Sequence, residues 1–400
     1  MKPKVAWLSP LPPQHSGIAN YSYWLVKGLR PYVDIDLYND GPDLNEGLKD
    51  EFAVYPLSAF QSRRHQYAET IYHLGNNILF HKDIYKLAWN FPATIVLHDY
   101  NLSAFLHDAF YLKSDWRLYE EALVSGNGHS GDKKASGFIP RLRRHGGTVP
   151  MSDAIVHRNR KVVVHHRWLK DQFAGADHVN VIPHFAKLNH EPAAAQVEAF
   201  KQRFQIDHKK FVVTCLGFIN TNKLPQLQVE VATRLLAQGY PVHLLFAGET
   251  APEVKRFQAE IESSELRENI TFTGYLDEVD YFAALFSSDV VINLRKPSMG
   301  EASGTLMHAL AAGKPAIVSD INQYREFPDR VCWKLAHDEH EAQLLYEYLV
   351  VLLSNRDVRK AISANALDYA ETVLALDRVI PHWLRLISGF SAADSADKRR

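Results

Sequence analysis

The segment from Met299 to Asp320, MGEASGTLMHALAAGKPAIVSD, places one carboxylate against the glycine-containing start of a helix that runs on into a buried strand. Ser303 is positioned to cap that helix. The backbone N–H groups of Gly304 and Thr305 then face outward, with the helix macrodipole behind them, and suit an anion. Glu301, just ahead of the cap, can accept hydrogen bonds from hydroxyls. A ligand carrying both phosphate and sugar hydroxyls fits this pairing. Leu306, Leu310 and Ala311 give the helix an apolar face, Gly313-Lys314-Pro315 ends it, and Ala316 to Val318 reads as a short buried strand. An ordinary helix with a solvated acid at its start has the same local signature, so the reading depends on what the rest of the chain brings to it.

Other residues of suitable chemistry fall just after apolar runs. GFINTNK follows Leu216 and offers Lys223 as a point charge; Gly248-Glu249 follows Ala247; Arg295 and Lys296 follow Leu294. In the first half, Gly17 lies in the loop SPLPPQHSGIANYS, where a missing side chain lets backbone approach a ligand closely. HLGNN supplies His73, Asn76 and Asn77, and His98-Asp99 follows Leu97. Neither G-x-G-x-x-G nor G-x-x-x-x-G-K-[ST] occurs in that first loop, so it carries no dinucleotide fingerprint and no P-loop. Among 20 histidines, the pair His165-His166 is not accompanied by H-x-x-x-H, and Asp34-Ile35-Asp36 sits inside a predicted strand. No metal site is expected.

These residues need a scaffold that brings strand ends together. Short apolar strands alternate with amphipathic stretches, the pattern of parallel sheets covered by helices. One series runs Val5 to Leu8, Asp34 to Tyr38, Thr70 to Tyr72, Thr94 to Leu97 and Lys161 to Val164, with a helix from Ala19 to Leu29. A second runs Phe211 to Leu216, Val242 to Ala247, Ile270 to Thr273, Val290 to Leu294 and Ala316 to Val318. The polar stretch from Leu188 to Glu198 reads as the linker between two doubly wound α/β domains. In such sheets ligands collect beyond the carboxyl ends of the strands, which is where the residues above fall.

The chain has 400 residues, 46% of them hydrophobic, enough for two cores. Its net charge of -1 gives no bulk attraction to nucleic acid, and small neutral or anionic ligands are the expected partners. Cys215 and Cys332 have no metal-ligand spacing and read as small core residues. No apolar run has membrane-span length, and Lys4 to Leu8 begins a strand at once without a signal-peptide layout, which predicts a cytoplasmic protein. Ser391 to Arg400 reads as a frayed polar tail.

The GEASG segment with its G-K-P turn, the LGFIN…K loop, VLHD, HLGNN and WLSPLPPQHSGIANYS together resemble the retaining glycosyltransferases of family 4 (group 1), over most of residues 1 to 385. The resemblance implies a GT-B fold, two Rossmann-like domains facing across a cleft. Residues 1–190 would form an N-terminal acceptor domain, 191–375 a donor domain, and a helix within 376–390 would pack back on the first. By position, Lys223 matches the lysine that binds the donor diphosphate. Glu301, Ser303, Gly304 and Thr305 match the segment that grips sugar hydroxyls and phosphate, His98 the histidine beside the reacting sugar, and Gly17 the glycine loop near the diphosphate. Asn76 and Asn77 fall on the acceptor side. Two positions depart from the family pattern. Phe218 stands where the family carries arginine, leaving Arg295 or Lys296 to substitute; and, counted back from Gly313, the family's Glu-x7-Glu pair falls on Gly300 and His308, so Glu301 lies one place off and His308 stands in for the ribose-binding carboxylate.

The chemistry so implied breaks the sugar–phosphate bond through an oxocarbenium-like transition state, with cations and helix-start amides stabilising the departing diphosphate. A hexose would pass from a GDP- or UDP-sugar to a glycan or lipid-linked acceptor, the nucleotide-sugar being substrate and no cofactor or nucleic acid being involved. Residues 104 to 160, with Phe105, Phe110, Tyr111, Trp116 and the basic run Arg141 to His145, would suit a lipid diphosphate at the inner face of a membrane, in surface polysaccharide synthesis; a helical insertion with a solvated basic face reads the same. Two other classes remain open: a GT-B-like epimerase, phosphorylase or hydrolase, and a non-catalytic partner subunit.

Overall fold

The computed structural model describes residues 2–41, 46–112, 116–126 and 150–388. The chain divides into two compact units. One comprises the chain up to His184, Met299–Ala302 and the chain from Leu376; the other comprises Phe185–Ser298 and Ser303–Ala375.

In the first unit, seven strands are described: β1 (Lys4–Leu8), β2 (Asp34–Tyr38), β3 (Ala53–Tyr55), β4 (Glu69–Leu74), β5 (Thr94–Leu97), β6 (Lys161–Val164) and β7 (Val179–Val181). All neighbours pair parallel, in the order β3-β2-β1-β4-β5-β6-β7. The second unit repeats the scheme with β8 (Phe211–Leu216), β9 (Val242–Ala247), β10 (Ile270–Phe272), β11 (Val290–Asn293), β12 (Ala316–Ser319) and β13 (Cys332–Leu335), ordered β10-β9-β8-β11-β12-β13. Strands such as FVVTCL and VVIN are buried along their whole length, as expected where helices cover both faces. Both sheets reverse direction of winding once, between β1 and β4 and between β8 and β11, and those switch points are where a doubly wound sheet opens a crevice for ligand.

The predicted strands are present, with shifted ends. β4 continues through His73, which therefore lies in the sheet and not in the loop after it. The short strands β3 and β13 were not among the expected ones, and the helix Ala194–Arg203 begins inside the stretch read as linker. Asp36 of the D-x-D run is buried in β2, taking the Tyr67 hydroxyl at 2.7 Å and pairing with Lys4 and Arg63, so it is structural. Cys215 and Cys332 are both buried free thiols. Phe105, Phe110 and Tyr111 are buried in the first unit's core, which corrects their reading as a membrane-facing set: the area that would have met lipid is already removed from water by packing on Tyr85 and Tyr119. The Arg141 to His145 run, the side chain of Trp116 and the Ser391 to Arg400 tail lie outside the described residues. No described helix is long and apolar enough to cross a membrane.

The helix Leu376–Ser388 belongs to the first unit, burying Val379, Ile380, Trp383 and Ile387 along one face. Lys161 ties down its end, donating to Leu386 O at 2.8 Å while pairing with Glu69. It crosses the helix Gly17–Leu29 at Gly28, where an added Cβ would stand 2.9 Å from Ile380 Cδ1 and 3.3 Å from Leu376 Cδ2. Gly28→Leu is therefore expected to destabilise the fold by about 1–3 kcal/mol through overpacking, measured by urea unfolding. An unchanged midpoint would show that this helix crossing is not a close one.

Candidate functional site

In the second unit the chain turns sharply after β8. Gly217 has φ +80, and a Cβ there would meet Thr305 Cγ2 at 3.1 Å and Lys223 Nζ at 3.3 Å. Only a residue without a side chain lets the lysine and the helix start close on the same backbone. Lys223 is buried, 4% exposed, and its ammonium donates to Leu216 O. Leu224 follows in the left-handed region at φ 55, an uncommon conformation for a branched side chain, and the helix Pro225–Ala237 starts there.

At the end of β11, Asn293 is 2% exposed, and its Oδ1 accepts from the Ser303 and Thr305 hydroxyls, both at 3.1 Å. Ser303 caps the helix Gly304–Ala311, its Oγ taking the Leu306 N–H at 3.3 Å. Beyond its chain neighbours and its own helix backbone, nothing lies within 4 Å of where a Cβ of Gly304 would stand, so packing by the rest of the protein does not demand glycine there. Lys223, Gly217, Ser303, Gly304 and Thr305 are thus brought together at the second sheet's switch point. Asn293 was missed in the sequence because it ends an otherwise apolar run; the polar last residue of VVIN was the available signal.

The remaining expected residues of this unit have partners of their own. His308 accepts on Nδ1, at 3.0 Å, from the Tyr281 hydroxyl, whose pKa burial raises so that it keeps its proton. Arg295 donates its amide to Ser319 Oγ at 2.7 Å and a guanidinium N–H to Leu294 O at 2.7 Å. Lys296 donates its amide to Asn222 O at 2.8 Å, tying this corner to the Lys223 loop. Phe218 is 52% exposed.

In the first unit, Gly17 opens the helix Gly17–Leu29 behind the cap Ser16, again with open space at its Cβ position. Asn77 caps the next helix, accepting from Leu79 N–H at 2.9 Å, and Asn76 donates its amide to Asp99 Oδ2 at 2.9 Å. His98 stands in a row of histidines. The Ile182 carbonyl can only accept, so His165 holds its proton on Nδ1. Its Nε2 then accepts from His98 Nδ1 at 3.3 Å, and His98 Nε2 accepts from His73 Nδ1 at 2.9 Å. Burial first, then the neighbouring histidines, hold His73 and His98 well below the usual range, and burial lowers His165 to about 4. All three rings are neutral at pH 7, and both ring nitrogens of His98 are engaged. Glu301 also belongs to this unit, its Oε2 accepting from Met299 N–H at 2.8 Å. Among the described residues, no group of three or more His, Cys, Asp or Glu is arranged to hold a metal ion.

Residues 196–368 match the family model of the group 1 glycosyl transferases. The match contains Gly217, Lys223, Asn293 and the helix start at Ser303. No curated protein matches the chain in sequence. Among solved structures, HepE of Anabaena in complex with UDP and glucose is similar over 97% of this chain and 100% of its own, at TM-score 0.67 and 14% identity. Sucrose-phosphate synthase of Thermosynechococcus elongatus is similar over 98% of this chain and 100% of its own, at TM-score 0.64 and 16% identity. WaaG, a glycosyltransferase involved in lipopolysaccharide biosynthesis, is similar over 97% of this chain and 100% of its own, at TM-score 0.61 and 15% identity. The two parallel, doubly wound sheets are those of the GT-B fold.

Asp99 gives the site's first unit a measurable pH signature. Burial, with Glu301 adding to it and the Asn76 amide opposing, raises its carboxyl to about 7. An unfolded aspartate titrates near 3.9, so the folded protein holds an extra proton between roughly pH 4 and 7; the stability this contributes is complete below pH 4 and lost as pH rises through about 7. Asp99→Asn cannot ionise. It is expected to match wild type at pH 4 and exceed it at pH 8 by about 1–2 kcal/mol, discounting for partial exposure, in urea unfolding at both pH values. A difference that does not change with pH would contradict the assignment.

Proposed function

We propose that this protein is a glycosyltransferase that transfers a hexose, with retention of anomeric configuration and without a metal ion, from a nucleotide-sugar to a glycan or lipid-linked acceptor in surface polysaccharide synthesis. The observation that carries the reading is the convergence of Lys223, Gly217 and the Ser303-capped helix at the switch point of the sheet that matches the group 1 family. A buried ammonium and a helix N-terminus closing on one glycine suit a diphosphate. UDP is favoured over GDP as the nucleotide, because HepE, similar in fold, is seen with UDP.

In the proposed reaction the bond from the sugar's anomeric carbon to the diphosphate oxygen breaks, and negative charge builds on the leaving diphosphate. Lys223 and the amides of Gly304 and Thr305 stabilise that charge, with Arg295 assisting. Glu301 accepts hydrogen bonds from donor-sugar hydroxyls. The acceptor hydroxyl attacks the same face, and its proton passes to the departing phosphate oxygen. By the family resemblance, Gly17 would serve the diphosphate and Asn76 and Asn77 the acceptor. His98, as a neutral ring held between two histidines, shapes the sugar site without transferring a proton. His308, held by Tyr281, sits beside the ribose.

A thermal-shift screen against UDP-, GDP-, ADP- and dTDP-sugars tests the reading, since a ligand bound only by the folded state raises the melting temperature. A shift with UDP-hexoses supports it. A shift with none favours a non-catalytic subunit, and turnover of donor without acceptor favours an epimerase or hydrolase. Lys223→Ala, checked for an intact fold by circular dichroism, is expected to lower turnover by on the order of a hundredfold, the scale for removing one preorganised charge donor. Glu301→Gln is expected to weaken binding of UDP-sugar more than that of UDP in calorimetry. Near-normal turnover in the first variant, or equal losses in the second, would overturn the assigned role.

A further inference from the structure

Arg295 and Lys296, where the chain leaves β11, are the two ends of a closed ring of polar contacts. The Arg295 amide donates to Ser319 Oγ at 2.7 Å. The Glu341 carboxylate can only accept, so His337 holds a proton on Nδ1 towards its Oε2 at 3.0 Å, and Nε2 of the neutral ring then takes the proton of the Ser319 hydroxyl, 2.7 Å away. The same carboxylate oxygen takes Lys296 Nζ at 3.0 Å, which closes the ring one residue from where it began.

Serine, histidine and carboxylate in this order also describe a nucleophile, its base and an orienting group. The structure argues against that use. Ser319 is fully buried at the end of β12, and its oxygen already accepts the Arg295 amide, so no reacting carbonyl can reach it. The ring instead fixes backbone and charge. Burial works against the Glu341 charge, but the bonds from Lys296 and His337 outweigh it and hold the carboxyl below its usual range. The Lys296 amide, donating to Asn222 O at 2.8 Å, passes the constraint to the turn that carries Lys223.

We infer that His337 is a positioning residue for the diphosphate site of the second unit, holding the Arg295–Lys296 corner through Ser319 on one side and Glu341 on the other. This role rests on the donor site proposed above. Its effect is expected on the phosphates rather than on the nucleoside, because the ring holds Arg295 and Lys296 and, through the Lys296 amide, the Asn222 turn that leads into Lys223.

Isothermal titration of UDP and of uridine into wild type, His337→Ala, His337→Asn and His337→Gln tests it. Asn keeps a donor near the Nδ1 position, towards Glu341, and Gln keeps an acceptor near the Nε2 position, towards Ser319. For His337→Ala the dissociation constant for UDP is expected to rise about tenfold, the scale of weakening one charge-assisted contact, with uridine affinity unchanged. The Asn and Gln variants should each recover part of the loss. In turnover the effect should appear in KM for the nucleotide-sugar more than in kcat. If wild type binds UDP and all three folded variants bind it equally well, His337 does not position the site. If His337→Ala loses UDP and uridine affinity alike, or unfolds while the Asn and Gln variants fold and bind normally, the role is structural only. If wild type itself does not bind UDP, the donor-site reading fails, and this inference fails with it.

Discussion

The site of the second unit depends on one backbone position. At Gly217 the chain leaves β8 with a positive φ, and Lys223, Thr305 and the Gly248 segment all close on it; a Cβ added at Gly248 would lie 2.4 Å from Gly217 O. A side chain at 217 would crowd the cation and the helix start, and one at 248 would drive the adjacent strand end off the Gly217 carbonyl. The doubly wound order of the sheet supplies the rest, since the reversal between β8 and β11 opens space beside this turn.

The two units offer different chemistry. The second gathers cations and a helix N-terminus, with hydroxyls fixed by a buried carboxamide, and so is complementary to an anion. The first gathers groups that are neutral or negative: three histidines whose burial keeps them uncharged, an aspartic acid whose pKa lies near neutrality, and Glu301. The acceptor nitrogens of His98 and His165 are already taken within the row, so the carboxyl groups of Asp99 and Glu301 are what this unit offers to hydroxyl protons, and their negative charge disfavours phosphate. The fixed direction of proton donation along His73, His98 and His165 follows from a single carbonyl, that of Ile182, which forces the first tautomer and thereby the next two.

Much of the scaffold was legible in the sequence because burial on both faces leaves continuous apolar runs, and β1, β8, β9 and β12 were read to within a residue or two for that reason. Ser303 as a cap was legible because capping is a local rule. What was not legible depends on contacts far apart in the chain. A polar residue ending VVIN is the only local mark of Asn293, and its partners Ser303 and Thr305 are reached only when β11 and the helix start are packed together. His308 could be counted against a family pattern, but its engagement by Tyr281 arises from packing between two helices. Aromatic residues near 105–111 looked like a surface set because their local spacing is that of any amphipathic stretch, and only the sheet beneath them shows that they are core. The edge strands β3 (AVY) and β13 (CWKL) are only partly buried, so they lack the continuous apolar run that marks the four-residue strands β11 and β12.

A structure of the protein with UDP bound would show where the diphosphate sits. The diphosphate is expected at the Gly217 turn, its oxygens within hydrogen-bond distance of Lys223 Nζ and of the Gly304 and Thr305 amides. A diphosphate bound elsewhere, with the Lys223 ammonium still directed at Leu216 O and the helix start empty, would contradict it.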